Sequence, residues 1–258
     1  MNYKYLLTEV KDGVGIITIN NPEKRNALNL SALSEIESVL GAWRKDDRIK
    51  VLIFTGAGNK SFVAGADINQ LKERTAVSAL EPNMTATYRK IEEYEKPIIA
   101  AINGTAVGGG LELALACDIR VATSNIKLGL PEVHLGIIPG AGGSQRLARI
   151  IGKGRAMRMI LTGEIITSEQ AIDYGLITDL VEQDQLMNKT LEIAEKIAVK
   201  GPLSLRVAKT LLNKGADIDM DTALMFEKYA QAMLMATDDK TEGISAFLEK
   251  RTPEFQGK

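Results

Sequence analysis

Residues 98–117, IIAAINGTAVGGGLELALAC, contain the strand, turn and helix signals that decide the fold. The first five residues form an uninterrupted apolar run after Pro97, which is typical of a strand buried on both faces. Asn103 and Gly104 then indicate a turn. Residues 111–117 favour a helix that begins directly after three glycines. The segment therefore predicts a strand that leads into a helix.

The same order of elements occurs earlier in the chain. Residues 14–19 (VGIITI) predict a strand that ends at the turn signal Asn20-Asn21-Pro22. Apolar residues from Leu33 to Trp43 recur at helical spacing and predict an amphipathic helix. Residues 51–54 (VLIF), bounded by Gly56, predict a second buried strand. Alternating strands and helices without long linkers favour an α/β core.

From about Gly140 the pattern becomes mainly helical. We predict helices over 144–151, 156–161, 168–174, 186–199, 202–212 and 220–236. Residues 176–181 indicate one further short extended piece. In the last of these helices, we expect apolar residues such as Met225 and Met233 to serve core or subunit packing.

The composition excludes several classes of partner and site. The chain has 258 residues, with 32 Lys+Arg against 33 Asp+Glu and a formal net charge of -1, which gives no broad field for nucleic acid or an anionic membrane. The single Cys117 cannot form an intramolecular disulfide, and with the single His134 it cannot assemble a Cys/His zinc site. The N-terminal residues do not resemble a secretory signal, and the apolar stretches are too short to cross a bilayer. We therefore expect a cytoplasmic protein whose partners are small molecules or other proteins.

Two glycine-rich stretches do not fit nucleotide-binding motifs. Residues 56–61 (GAGNKS) lack the glycine before lysine that a P-loop needs, and Ser61 stands where a dinucleotide motif has its third glycine. In residues 140–145 (GAGGSQ), Gln145 occupies that third position. A plain turn is the better interpretation of both stretches.

The glycines at 108–110 precede the predicted helix and have two interpretations. Amides at a helix start have no internal acceptor and can bind developing negative charge, so one interpretation is an oxyanion site. The other is tight packing of the helix on a strand. Glu112 follows in an apolar helix without a polar stripe. Burial would raise the pKa of such a carboxylate, which favours a functional residue over a helix-capping one.

Glu132 is a second isolated acid, placed after Pro131 among apolar, glycine and proline residues. Two carboxylates of this kind are the ingredients of paired general acid and base catalysis, although their spacing does not establish that they meet. His134 could tune Glu132, but a lone imidazole in a loop is more often simply hydrogen-bonded. We expect Cys117 to be a small core residue.

Four segments together resemble the enoyl-CoA hydratase (crotonase) family. They are residues 21–28 (NPEKRNAL), 62–68 (FVAGADI), 103–113 (NGTAVGGGLEL) and 131–143 (PEVHLGIIPGAGG). They occur in order over nearly the whole chain, and the likeness ends at residues 247–251. The resemblance implies a spiral of β-β-α turns over 1–200 and a helical trimerisation region over 201–258. It also implies a homo-oligomer, usually a dimer of trimers.

The resemblance also implies the roles of individual residues. The amides of Ala66 and Gly109 would polarise the thioester oxygen of an acyl-CoA, Glu112 would activate water, and Glu132 would protonate the substrate Cα. The implied CoA-binding positions are Lys24, Arg25, Ala64, Ala66, Asp67, Ile68 and Gly109, with Phe247 and Lys250 closing the site, in some members from a neighbouring subunit. No metal or redox cofactor is implied, because coenzyme A is part of the substrate.

The presence of both glutamates favours a hydratase over an isomerase. The expected reaction is hydration of short to medium 2-enoyl-CoA thioesters in fatty acid β-oxidation or short-chain acyl-CoA metabolism. Two alternatives are an enoyl-CoA isomerase that uses one glutamate as a proton shuttle and a non-catalytic acyl-CoA-binding scaffold.

Overall fold

Two β-sheets form the centre of the protein in the computed structural model, which describes residues 3–81 and 83–258. The strands in these ranges are β1 Leu6–Lys11, β2 Val14–Ile19, β3 Val51–Gly56, β4 Ser61–Val63, β5 Ile98–Ile102, β6 Thr105–Val107, β7 Ile119–Thr123, β8 Lys127–Gly129, β9 Ile165–Thr167 and β10 Asp179–Val181. The larger sheet has the order β1-β2-β3-β5-β7-β10, and the smaller has the order β4-β6-β8-β9.

Helices follow the strand pairs and make up the C-terminal region. They are α1 Leu30–Arg44, α2 Ile68–Glu73, α3 Ala76–Ala79, α4 Met84–Glu92, α5 Gly109–Ala116, α6 Gly143–Ile151, α7 Lys153–Thr162, α8 Ser168–Asp173, α9 Leu186–Ala198, α10 Pro202–Gly215, α11 Met220–Met235 and α12 Asp238–Glu249. Single 3-10 turns span Pro22–Lys24, Glu132–Leu135 and Gln183–Gln185. Of the helices in the described ranges, none is both long and apolar enough to cross a bilayer.

The chain alternates between the two sheets as it advances. The pairs β3/β4, β5/β6 and β7/β8 each place their first strand in the larger sheet and their second in the smaller one. Neighbouring strands from successive pairs are parallel within both sheets. Parallel neighbours require a crossover, and the intervening helices provide it. The result is a spiral of β-β-α turns.

The central strands are buried on both faces, as their continuous apolar sequences predict. One face of β3 and β5, with Phe54 and Ile98, belongs to the main core beneath α1, α4 and α5. The other face, with Ile53 and Ile99, packs against Leu186 and other residues of α9. Because successive strand residues point to opposite faces, a run without polar residues covers both layers.

Sequence patterns predicted some elements and missed others. Strand β1 was not predicted. Only Leu6 of its six residues is buried, so its sequence (LLTEVK) lacks the alternation of apolar and polar residues that indicates a strand. The helices α2 to α4 and α12 were not predicted, and α5 begins at Gly109 instead of Leu111. Glu132, expected in a loop, opens a 3-10 turn. Residues 202–249 form three helices, α10 to α12, and residues 250–258 are not helical, while the division into units 1–200 and 201–258 stays a prediction.

The start of α5 packs directly on the end of β4. A Cβ atom at Gly110 would overlap the carbonyl oxygen of Val63, and one at Gly65 would lie 3.2 Å from the amide nitrogen of Gly109. Only residues without side chains allow two backbones to approach this closely. The packing interpretation of the glycines therefore holds for Gly110.

Replacing Gly110 by Ala should destabilise the protein, because the added Cβ would force α5 away from β4. We expect the free energy of unfolding to fall by about 1–3 kcal/mol, the usual cost of overpacking, in urea denaturation. Gly41→Ala is the matched control. Gly41 is exposed in α1 with open space around it, so Ala there should stabilise the protein by about 0.5–1 kcal/mol. A Gly110→Ala protein with wild-type stability would contradict this account.

Candidate active site

The chain enters α5 through Gly108, whose backbone has φ +54° and ψ -132°, a conformation that glycine alone adopts easily. Gly108 donates its amide to the Gly129 carbonyl (2.9 Å), and its own carbonyl accepts from the Glu112 amide (3.0 Å). Gly109 is the first residue of α5, so its amide has no acceptor within the helix. That amide is available to a ligand.

A second amide lies beside it, at Ala66. Leu28 forms a parallel bridge with Ala66, donating to the Gly65 carbonyl (2.9 Å) and accepting from the Asp67 amide (3.2 Å). This bridge uses the groups on either side of Ala66, so the Ala66 N–H points away from Leu28. A Cβ at Gly109 would lie 3.5 Å from the Ala66 nitrogen. Two neighbouring amides of this kind can stabilise one oxyanion.

Glu112 lies one turn into α5, and the whole helix is buried. The residue is 2% exposed, and its Oε1 accepts hydrogen bonds from the amides of Ala141 (2.7 Å) and Gly143 (2.8 Å). Burial raises the pKa of Glu112, while the two amides and the nearby Arg146 guanidinium oppose this rise. Because Oε1 takes both bonds, the carboxylate is held in one orientation.

Glu132 is the second carboxylate, half-buried at the start of its 3-10 turn. Its Oε2 is buried and has no hydrogen-bond partner among the described residues. A Cβ at Gly108 would lie 3.1 Å from its Oε1, so the carboxyl sits beside the start of α5. Burial raises the pKa of Glu132 to about 7, and the negative charge of Glu112 adds to the rise. The structure thus brings the two isolated acids of the sequence together.

The turn containing Lys24 packs against the loop before α2. Lys24 Nζ forms an ion pair with Asp67 (2.8 Å), and the Arg25 carbonyl accepts from the Ala64 amide (3.1 Å). Ile68, the first residue of α2, is exposed. These predicted CoA-binding residues therefore lie together, next to the amide of Ala66.

Phe247 and Lys250 are not brought to this group within the chain. They lie at the end of α12, and Phe247 is 81% exposed. In the described part of the chain, the Lys250 side chain makes no hydrogen bond or ion pair. Helix α12 instead packs towards the start of α10, since Phe255 lies close to both Gly243 and Gly201.

The family of the chain follows from comparison with known proteins. Residues 9–258 match the family model described as enoyl-CoA hydratase/isomerase. The chain belongs to this family.

Similar proteins cover the whole chain. A short-chain-enoyl-CoA hydratase of Clostridium acetobutylicum is 43% identical over 97% of both chains, and a crotonyl-CoA hydratase of Syntrophomonas wolfei is 42% identical over 100% of both. The crystal structure of an enoyl-CoA hydratase from Bacillus anthracis superposes with a TM-score of 0.95 at 40% identity, over 99% of this chain and 100% of the other. This likeness confirms the predicted crotonase-type α/β spiral.

The single histidine of this family member packs on a neighbouring helix, and the single cysteine is buried. His134 is exposed, and a Cβ at Gly163 would lie 2.5 Å from its Nε2, so the imidazole packs on the end of α7. Cys117 is buried, and burial raises the pKa of its thiol to about 12. Within residues 3–81 and 83–258, no group of three or more His, Cys, Asp or Glu residues could hold a metal ion.

Sequence analysis missed the residues of α4 that contact the site. The buried Tyr88 hydroxyl donates to the Gly109 carbonyl (2.7 Å), and Thr85 donates to the Gly140 carbonyl (2.7 Å). Met84 Sδ would lie 2.8 Å from a Cβ at Gly109. The helical spacing of Met84 and Tyr88 was the available signal, since residues i and i+4 share a helix face. Nothing in that spacing indicated which element they meet.

Replacing Glu132 by Gln should stabilise the protein at high pH only. The folded-state pKa near 7 lies above the ordinary value of 4.5, so the wild type loses stability as the pH rises through about 7 and the carboxyl ionises while half-buried. Gln cannot ionise. Between pH 5 and pH 8 we expect the stability difference to grow in favour of the variant, on the order of 1 kcal/mol after allowing for partial exposure.

Urea denaturation at both pH values measures this difference. Glu9→Gln, at an exposed position of β1, is the control and should show no such growth. A Glu132→Gln protein whose stability relative to the wild type does not change with pH would contradict the raised pKa.

Proposed function

We propose that the protein is an enoyl-CoA hydratase, which adds water reversibly and in syn fashion to a 2-enoyl-CoA thioester and gives 3-hydroxyacyl-CoA. The observation that carries this proposal is the meeting of Glu112 and Glu132 beside the paired amides of Ala66 and Gly109. Full-length similarity to proteins named as hydratases supports the same reaction, a hydro-lyase reaction.

In the proposed mechanism, the thioester oxygen accepts hydrogen bonds from the Ala66 and Gly109 amides. These bonds strengthen as negative charge develops on the oxygen, which lowers the barrier to attack at Cβ. Glu112, held through Oε1, takes a proton from the attacking water, and the hydroxyl oxygen bonds to Cβ. Glu132 donates its proton to Cα from the same side of the double bond. Exchange with solvent then returns a proton to Glu132 and removes one from Glu112.

The environments of the two acids support this division of roles. Two amide donors stabilise the ionised form of Glu112, which suits a base, whereas Glu132 has a pKa of about 7 and keeps its proton in a large share of molecules at neutral pH. We expect no metal or redox cofactor, because addition of water to a conjugated thioester transfers no electrons. Coenzyme A belongs to the substrate.

The proposed substrates are 2-enoyl-CoA thioesters of short to medium chain length. Relatives named as short-chain-enoyl-CoA hydratase and crotonyl-CoA hydratase support the short end of this range. The reaction fits fatty acid β-oxidation or short-chain acyl-CoA metabolism in the cytoplasm.

Glu112→Gln and Glu132→Gln should each lower kcat steeply while the CoA thioester still binds, because the amide keeps the shape but cannot exchange the proton. The double variant should be little worse than either single one, since the two groups act in one step. Rates with crotonyl-CoA, followed by loss of the conjugated-thioester absorbance, measure this.

An isomerase would need only one of the glutamates and would prefer a 3-enoyl thioester, and a scaffold would leave the absorbance unchanged. A wild type that prefers the 3-enoyl thioester, or one that leaves the crotonyl-CoA absorbance unchanged, would reject the hydratase. A Glu112→Gln protein with the wild-type hydration rate would reject the two-carboxylate mechanism.

We also propose a trimer-based assembly, usually a dimer of trimers in this family, through the C-terminal helices. Helix α11 has no buried residue, although it carries large apolar side chains, among them Leu224, Phe226 and Met233. Apolar surface of this extent supports burial against another subunit. In such an assembly, Phe247 and Lys250 close the CoA site of a neighbouring subunit, while Lys24 and Arg25 act within their own.

Leu224→Asp should weaken the assembly, because a charge on an apolar interface stays without a partner. The wild type should sediment as trimers or hexamers at micromolar concentration, and the variant as smaller species. Leu224→Asp and Lys250→Ala should then raise KM for the CoA thioester by similar, non-additive factors. Lys24→Ala should raise KM further in both backgrounds, most clearly at low salt.

Lys196→Ala is the control for loss of a surface cation, since Lys196 is exposed on α9 and pairs only with Glu192 among the described residues. It should leave KM unchanged. A wild type that sediments as a monomer would reject the assembly.

A further inference from the structure

The turn that holds Glu112 belongs to a different part of the chain from Glu112 itself. Residues 141–143 lead into α6, whose first residue is Gly143, and the amides of Ala141 and Gly143 reach the Glu112 carboxylate across 29 and 31 residues of sequence. Gly142 in the middle of the turn has φ +98°, in the left-handed region that favours glycine. The orientation of Glu112 therefore depends on what fixes this turn.

Arg146 contacts the turn from the outside. Its Nη1 donates to the Ala141 carbonyl (2.9 Å), and the guanidinium lies so close to Gly142 that a Cβ there would overlap Nη1. The side chain is 12% exposed, so it has little freedom to leave this position.

Glu92, at the end of α4, holds Arg146 in place. The two Glu92 oxygens accept from Arg146 Nε and Nη2, both at 3.0 Å, in a bidentate pair that is planar and directional. Thr85, on the same helix, donates to the Gly140 carbonyl. Helix α4 therefore fixes the turn from one side while Glu112 binds it from the other.

We propose that Arg146, held by Glu92, is a positioning residue for the hydration reaction. It fixes the turn whose two amides orient Glu112 towards water, and its charge favours the ionised base. This inference rests on the proposed function, and it assigns a role to a pair that does not touch the substrate.

The charges around Glu112 come from three elements. Arg146 on α6 lowers the pKa of Glu112 against the effect of burial. Glu132 on the 3-10 turn and the un-ionised Tyr88 on α4 also face it, and the negative charge of Glu112 raises the pKa of both groups. Glu92 partly neutralises Arg146, and Arg89 pairs with Glu92 from the solvent side. Arg146 of α6 is therefore the cation that lowers the pKa of Glu112, and Glu92 of α4 holds it in place.

This arrangement predicts opposite effects for the two partners. Arg146→Gln removes the cation and one hydrogen bond to the turn, so the acidic limb of the pH profile of kcat/KM should move up by about one pH unit. In addition, kcat should fall about 10- to 100-fold with little change in KM, as expected for a misplaced catalytic group. Glu92→Gln keeps Arg146 but removes its counter-charge, so the limb should stay in place or move down.

Two further variants make the test specific. Arg146→Lys keeps the charge but loses the bidentate geometry, so it should lower kcat while the limb stays near its wild-type position. Arg149→Gln is the matched control, since Arg149 lies one turn along α6 in an exposed pair with Asp217. It should leave the profile unchanged. Circular dichroism and urea denaturation confirm that each variant is folded.

Infrared titration measures the change in the pKa of the Glu112 carboxyl without turnover. The carboxyl band is identified by its loss in Glu112→Gln. An upward shift in Arg146→Gln that is absent in Glu92→Gln supports the proposal. Equal shifts of the same sign in both variants, or a wild-type profile for Arg146→Gln, would overturn it. A wild type that does not hydrate crotonyl-CoA would instead overturn the proposed function, and the infrared titration would still show whether Arg146 controls Glu112.

Discussion

The close approach of two backbones at the start of α5 is the constraint on which the site depends. Gly110 packs against the Val63 carbonyl, and Gly65 faces the amide of Gly109, at separations that no side chain would allow. Because backbone atoms make this contact, the amides of Ala66 and Gly109 come together without any rotamer that could vary. The same contact fixes the first turn of α5 and hence the point at which Glu112 enters the core. One packing constraint thus places both the two amides proposed to bind the oxyanion and the first carboxylate.

The two glutamates show how similar burial leads to different acidity. Burial raises the pKa of both. The stabilising partners, however, are unequally distributed: the turn before α6 gives two amides to Glu112, while Glu132 Oε2 receives no hydrogen bond from the described residues. The charge of Glu112 then disfavours ionisation of Glu132 further. The difference between the two carboxyls therefore comes from where the backbone amides point, and it supports the proposed roles of Glu112 as base and Glu132 as acid.

The sequence alone predicted the elements and residues whose neighbours along the chain are almost all apolar. Strands β3 and β5 were predictable because they are buried on both faces, and Glu112 was noticeable as one acid in an otherwise apolar helix. Strand β1 was not, since only one of its residues is buried. The pair of Glu92 and Arg146 joins residues 54 positions apart. On their own helices these two residues look like ordinary polar positions of an amphipathic pattern, and only the tertiary fold shows what they hold.

The end of α4 also connects the site to the C-terminal helices. The Glu92 carboxylate binds Arg146, while its backbone carbonyl accepts from Asn213 of α10 (3.1 Å). The next residue, Glu93, pairs with Lys214 of the same helix (2.7 Å). A displacement of α10 would therefore displace Glu92, whose carboxylate holds the Arg146 side chain against the Ala141–Gly143 turn. Because α10 packs on α11, the helix with the exposed apolar face, packing of that face against another subunit would steady α10 and, through Glu92 and Arg146, the proposed base Glu112.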